Sequence, residues 1–318
     1  MGKSEKIKPA DLQKITTYPI SKRQTKTNIK AFGQPIDPKK KTDFFESLPK
    51  FLKAEDLKNY IEAVHKARIK NKPFHLLLGA HTIKVGLTPI FIDLIKHKIV
   101  TGFSFNCAGL IHDIELAFFG GTSEDVQKGL ADGSFGMVEE TAAMFAEVVD
   151  FAASEDIGLG EAGGIYINAN KAKYADLSIF AAANKHQIPA TIHVGIGTDT
   201  IAQHPNYDAA KIGAASHLDF RILATICKEI NNGGVLANIG SAVLLPEVFL
   251  KALTVARNTT KNKNKLTTAN FDMITHYRPT ENVLNRPTHN AGAGYNFVGH
   301  HEIMIPLLAW GLKQSFTN

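Results

Sequence analysis

The chain has 318 residues, 44% hydrophobic and 21% charged, a globular balance that excludes a coiled coil or a chain too polar to bury a core. Its two cysteines, Cys107 and Cys227, exclude a disulfide framework, and no apolar run reaches the roughly 18 residues of a membrane span. The net charge of +6 belongs to residues 1–72, with 18 Lys/Arg against 8 Asp/Glu, whereas the remaining residues hold 18 against 22.

Residues 1–41 are rich in Lys, Thr and Pro, end in PIDPKKK, and read as an extended basic arm without the apolar core of a secretory signal. A solvated arm is the simplest reading; contact with an acidic partner, a neighbouring subunit or a nucleic acid is the alternative. Residues 43–70 place Phe51, Leu52, Leu57, Ile61 and Val64 at helical spacing, which predicts one or two amphipathic helices. PFHLLLGA (73–80) is short, apolar and entered through proline, a buried strand. Helix is predicted at 88–98, strand at 101–109, and helices at 111–119, 123–130, 135–154 and 174–187. A strand at 188–197, a helix at 215–232 and a strand at 233–242 follow. A helix at 246–258 with Pro246 in its first turn, a strand at 266–274 and a helix at 301–312 complete the chain. Strands separated by helices, and apolar throughout, predict a Rossmann-like α/β fold: a parallel sheet with helices on both faces. Residues 1–72 form the arm and its helices, and 73–318 the Rossmann-like domain.

Ligands of such sheets bind beyond the carboxyl ends of the strands. The exits here carry Gly79-Ala80-His81-Thr82, Asn106-Cys107-Ala108-Gly109, Gly195-Ile196-Gly197-Thr198-Asp199 and Gly240-Ser241. No exit has the glycine fingerprint of a dinucleotide or phosphate loop. Residues 276–301 read as a long polar loop, with Arg278-Pro279-Thr280 echoed by Arg286-Pro287-Thr288, and such loops are often functional. An acidic first turn or cap explains His112-Asp113-Ile114-Glu115 and His300-His301-Glu302 better than metal binding does.

The run LLLGAHTIKVGLTPIFIDLIKHKIVTGFSFNCAGLIHDIEL resembles the start of the deoxyhypusine synthase catalytic domain, and NKHQIPATIHVGIGTDT, Arg286-Pro287 and EIMIPLLAWGL extend the likeness over roughly 70–312. The resemblance implies a deoxyhypusine synthase-like NAD-binding fold, assembled as a homotetramer and handling a polyamine; the two cysteines and the start of the chain point separately to a cytoplasmic setting. It implies that Thr82, Ile83, Lys84, Cys107, Ala108 and Gly109 line NAD and that Asp113 faces its ribose. It also implies that Asp199 and Arg286 contact the substrate, with Gly240 and Gly294 permitting close approach. The family's chemistry transfers a butylamine group through a lysine imine. Here Ala293-Gly294-Tyr295-Asn296 stands where that lysine belongs, and no lysine occurs between Lys265 and Lys313. The chain therefore reads as a divergent NAD-dependent transferase or oxidoreductase of a small amine. His289, Tyr295, His300 or His301 would supply acid–base groups, histidine being suited by its pKa near neutrality. A non-catalytic nucleotide- or polyamine-binding protein is the alternative.

Overall fold

The computed structural model describes residues 7–36, 44–260 and 265–317. The ends of the basic arm, residues 1–6 and the 37–41 part of PIDPKKK, lie outside the described residues. The chain divides into two compact units, Met1–Ala54 and Glu55–Asn318. In the first, residues 7–36 form an exposed chain with short 3-10 turns at Leu12–Lys14, Ile20–Lys22 and Ile29–Ala31, none of which buries a residue. Helix α1 (Phe44–Ser47) buries Phe45. Helix α2 (Leu52–Ile69) runs into the second unit, where it buries Leu57, Tyr60, Ile61, Val64 and Ala67.

The second unit is a doubly covered parallel sheet. Strand β1 (Phe74–Leu78) leads to α3 (His81–Lys84) and α4 (Thr88–Lys96), and β2 (Gly102–Asn106) to α5 (Cys107–Phe119). Helices α6 (Val126–Asp132), α7 (Glu139–Glu155), α8 (Leu159–Ala169) and α9 (Ile179–His186) precede β3 (Ala190–His193). Then come α10 (Ala209–Ile230), β4 (Val235–Ile239), α11 (Leu244–Thr260) and β5 (Leu266–Asp272). The turns α12 (Tyr277–Pro279) and α13 (Arg286–Thr288) flank a π-helical segment at Thr280–Asn285. Strand β6 (Gly292–Val298) and α14 (His301–Thr317) end the chain. The strand order is β3-β2-β1-β4-β5-β6, and every pairing is parallel. Two βαβαβ halves sharing a central β1/β4 junction define the Rossmann-like arrangement. Among the described residues no helix is long and apolar enough to cross a membrane.

The two sheet faces differ. One carries Phe103, Phe105, Phe271 and Phe297 against Tyr60 of α2 and Phe180 of α9, with ring centroids 4.7–6.2 Å apart. On the other, Leu77 and Leu236 pack with α10, α11 and the π-helical segment, while polar side chains pair across strands. Asn238 donates to Asn270 at 2.7 Å and Asn270 to Asn296 at 3.0 Å. His75 meets Ser104 at 2.9 Å, and Thr191 meets His193 at 3.1 Å. These groups are tolerated inside because they are hydrogen-bonded. The open edge of β3 is sealed by α10: Asp219 accepts the Ile192 N–H, and Ser216 accepts from Val194 and donates to the Ile192 carbonyl.

One segment departs from the sequence expectation, and another carries no expectation but is helical. The polar 276–301 "loop" is the crossover from β5 to β6 and includes β6 itself. The segment 159–169 is a helix despite its Gly160, Gly163 and Gly164. A Cβ on these glycines would lie 2.2 Å from the Ala190 carbonyl, 2.5 Å from Leu110 and 2.5 Å from the Phe180 carbonyl. The glycines let α8 lie flush on β3, α5 and α9, and tertiary packing repays their poor helix propensity.

Candidate functional site

The strand order reverses between β1 and β4, and open α/β sheets bind ligands beyond the carboxyl ends of the strands at such a point. Titratable groups gather on both sides of this junction.

On the β4–β6 side, β4 exits through Gly240 at φ +70°, and the His301 ring lies over that glycine: a Cβ there would be 2.9 Å from His301 Cε1. Glycine is required by both the left-handed backbone and the ring above it. His301 opens α14, is 1% exposed, and its Nε2 lies 3.2 Å from the Phe271 carbonyl. A carbonyl only accepts, so Nε2 carries the proton and Nδ1 keeps its lone pair. Nδ1 is buried without a partner. The half-buried His81 ring packs edge-on at 5.7 Å between centroids. Burial, then the neighbouring His301, push the His81 pKa down, opposed by Glu302 and Asp272. Asp272 is buried at the end of β5, with His276 3.9 Å away.

On the β2–β3 side, Asp199 follows β3 and accepts hydrogen bonds from the Cys107 thiol, the Thr198 hydroxyl and the Ala108 N–H; burial outweighs them and raises its pKa. Burial also pushes the Cys107 thiol up, as does Asp199, so it is a poor nucleophile. The Tyr207 hydroxyl, within electrostatic reach of Asp199, is buried without a partner. One and a half turns along α5, His112 Nδ1 lies 2.7 Å from the Thr122 hydroxyl, which donates to Glu115; Thr141 donates to the other Glu115 oxygen at 2.9 Å. Burial pushes the Glu115 carboxyl up; the adjacent His112 ring, 3.6 Å away, and the hydrogen bonds from Thr122 and Thr141 more than offset it, holding it below the usual range.

The residues suggested by sequence are divided by the structure. Cys107, Ala108 and Asp199 meet at the β2–β3 exits, and Lys84 is exposed just beyond β1. Thr82 is buried with its hydroxyl on the Gly79 carbonyl at 2.8 Å, Ile83 is buried, and Gly109 is packed on Phe105. Asp113 does not face a ribose. It is fully buried and accepts from the Ser178 hydroxyl and from the N–H groups of Ile179 (3.1 Å) and Phe180 (3.3 Å), capping α9. Burial raises its pKa to about 6 against those bonds. Arg286, bonded to Asn282 at 2.6 Å, and His289 lie on the crossover just before β6 begins, away from the strand exits. Tyr295 and Gly294 are mid-strand in β6; Tyr295 packs on Tyr60 at 5.9 Å, and a Cβ on Gly294 would be 3.0 Å from the Leu284 carbonyl. His300 is exposed, 3.8 Å from Glu302. Asp272, Tyr207, Thr122 and Thr141 were not singled out by sequence, because their grouping is spatial. A separate cavity of about 510 Å³ beside Gln187, Ile188 and Pro189 sits at the opposite, amino edge of β3 and touches none of these groups.

No protein-family model matches the chain, and no curated protein matches it. Solved structures do. A conserved LOR/SDH protein from Methanococcus maripaludis S2 is similar at TM-score 0.52 and 14% identity, over 83% of this chain and 71% of that one. AgrE, in a ternary complex with ornithine and NAD+, is similar at TM-score 0.55 and 13% identity, over 83% of this chain but 33% of AgrE, so the chain spans about a third of that protein. A protein described as a deoxyhypusine synthase from Entamoeba histolytica matches at TM-score 0.48 and 11% identity, over 82% and 88%, too low to carry an argument. At these identities the likeness is one of fold.

Proposed function

We propose that the chain is an NAD-dependent enzyme acting on a small cationic amine, without a lysine-imine relay. The observation that carries this reading is the β3-β2-β1-β4-β5-β6 order with titratable groups gathered on both sides of its junction. The exits suit a dinucleotide. Gly86 after β1 and Gly197 after β3 have positive φ, and a Cβ on either would meet nothing within 4 Å, so a ligand can reach the backbone. Lys84 offers a cation for the pyrophosphate, and Asp199 an acceptor for ribose or amine hydrogens. NAD+ would supply the hydride acceptor. The mildly acidic charge beyond residue 72 favours a cationic substrate over a polyanion. AgrE, similar in fold, binds ornithine and NAD+, which supports the pairing of this cofactor with an amine. Assembly as a homotetramer belongs to the same reading and is measured by light scattering.

Calorimetric titration with NAD+, NADH and spermidine separately tests the proposal. Saturable 1:1 binding of NAD+, weakened by Lys84→Ala and Asp199→Asn, is the expected result. Binding of spermidine alone would make the chain a polyamine-binding protein, and binding of none would defeat the reading. Butylamine transfer from spermidine would contradict the absence of the relay lysine.

A further inference from the structure

We infer that His112 is the proton acceptor for the substrate, held in its working tautomer by Thr122 and Glu115, so that the reacting end of the ligand lies over the β2 and β3 exits. The inference rests on the nicotinamide reading above and adds to it the base and the orientation.

The hydrogen-bond chain allows one direction. Glu115 is held ionised, and a carboxylate only accepts. Both hydroxyls on it, Thr122 and Thr141, must therefore donate. With its proton committed to Glu115, the Thr122 oxygen accepts from His112, which places a hydrogen on Nδ1 and leaves the lone pair on Nε2. Among the described residues Nε2 has no partner, and unlike His301 Nδ1 it is not among the buried unpaired atoms. Three segments build the arrangement: α5 supplies His112 and Glu115, the turn after it Thr122, and the start of α7 Thr141. The side chains of His112 and Glu115 are 14% and 15% exposed, so the ring is fixed while an edge stays open. This is the geometry of a general base with an orienting carboxylate.

The competing histidines are less suited. His301 Nδ1 is sealed inside the protein, and among the described residues the half-exposed His81 has no carboxylate within hydrogen-bonding distance. Asp199, within electrostatic reach of His112, supplies the negative charge that would hold an ammonium group. The step balances: one ammonium N–H proton goes to His112 Nε2, the C–H hydrogen leaves with its electron pair to oxidised nicotinamide, and a protonated C=N group remains. His112 then carries protons on both nitrogens, its Nδ1–H still on Thr122 and Glu115 stabilising the cation.

Long-range proton–nitrogen NMR of the full chain reads the tautomer directly. The Nδ1–H form of His112 is expected, shifting toward Nε2–H in Thr122→Val. Diethylpyrocarbonate labelling mapped by mass spectrometry reads access to Nε2. With NAD+ at ten times its Kd, His112 should react about tenfold more slowly while exposed His289 keeps its rate. A wild-type Nε2–H tautomer, or bound NAD+ with His112 reacting at its free rate, overturns the inference alone. Absence of NAD+ binding overturns the functional reading and the inference with it.

Discussion

Asp219 allows a sharp test of how burial sets stability in this fold. It sits on α10 with no exposed surface, and its Oδ2 accepts the N–H groups of Gly160 at 3.1 Å and Ile192 at 2.9 Å. Its Oδ1 has no partner, and a Cβ on Gly158 would fall 1.9 Å from that oxygen. Burial pushes the carboxyl up to about 8, against the backbone donors. Unfolded, it ionises near 3.8. The folded state therefore holds a proton that the unfolded chain has released. The resulting stability is complete below the unfolded pKa and is lost as pH rises through about 8. The interval is about four pH units, and at ~1.4 kcal/mol each the loss is roughly 6 kcal/mol. Asp219→Asn keeps an acceptor for the two N–H groups and removes the titration. Urea unfolding of both proteins from pH 5 to pH 8 should show wild type losing about 4 kcal/mol relative to the variant. Parallel profiles would refute the claim that Asp219 is folded in its neutral form.

Three further variants test the same fold. Burial holds His75 and His193 at about 3, so their contribution is present above pH 6.5 and lost as pH falls; His193→Gln should flatten the acid limb of the stability profile. Asp113→Ala strands the Ser178 hydroxyl and two α9 N–H groups and should cost about 2–3 kcal/mol by chemical denaturation. In the same variant NAD+ affinity should hold; a selective loss of binding would restore Asp113 to the pocket. A Cβ on Gly79 would lie 2.0 Å from the Gly240 carbonyl, so Gly79→Ala should destabilise by about 3 kcal/mol in thermal unfolding.

Local pattern made much of the fold legible. PFHLLLGA and GGVLANIGSA are mostly apolar because both faces of β1 and β4 are covered, with His75 and Asn238 as hydrogen-bonded exceptions. The long helices at 135–154 and 215–232 showed through their apolar spacing, although α10 begins earlier, at Ala209, where Asp208 caps it. The weak signals were those set by a distant partner. GLGEAGGIYINA gives no sequence expectation, because its helix depends on glycines that let it pack flush on β3, α5 and α9. GAGYNFV reads as a loop until β5 pairs with it.

The candidate site divides in the same way. Sequence alone determined the alternation of strands and helices, the basic arm, and the absence of a lysine where the resembling family needs one, since these are properties of residue type and order. Tertiary structure decided that β1 and β4 are neighbours, that Asp113 caps a helix 65 residues away, and that Thr122 and Thr141 lock His112 onto Glu115. A side chain's hydrogen-bond partners depend on which backbones meet, and chain folding alone brings residues of distant sequence together.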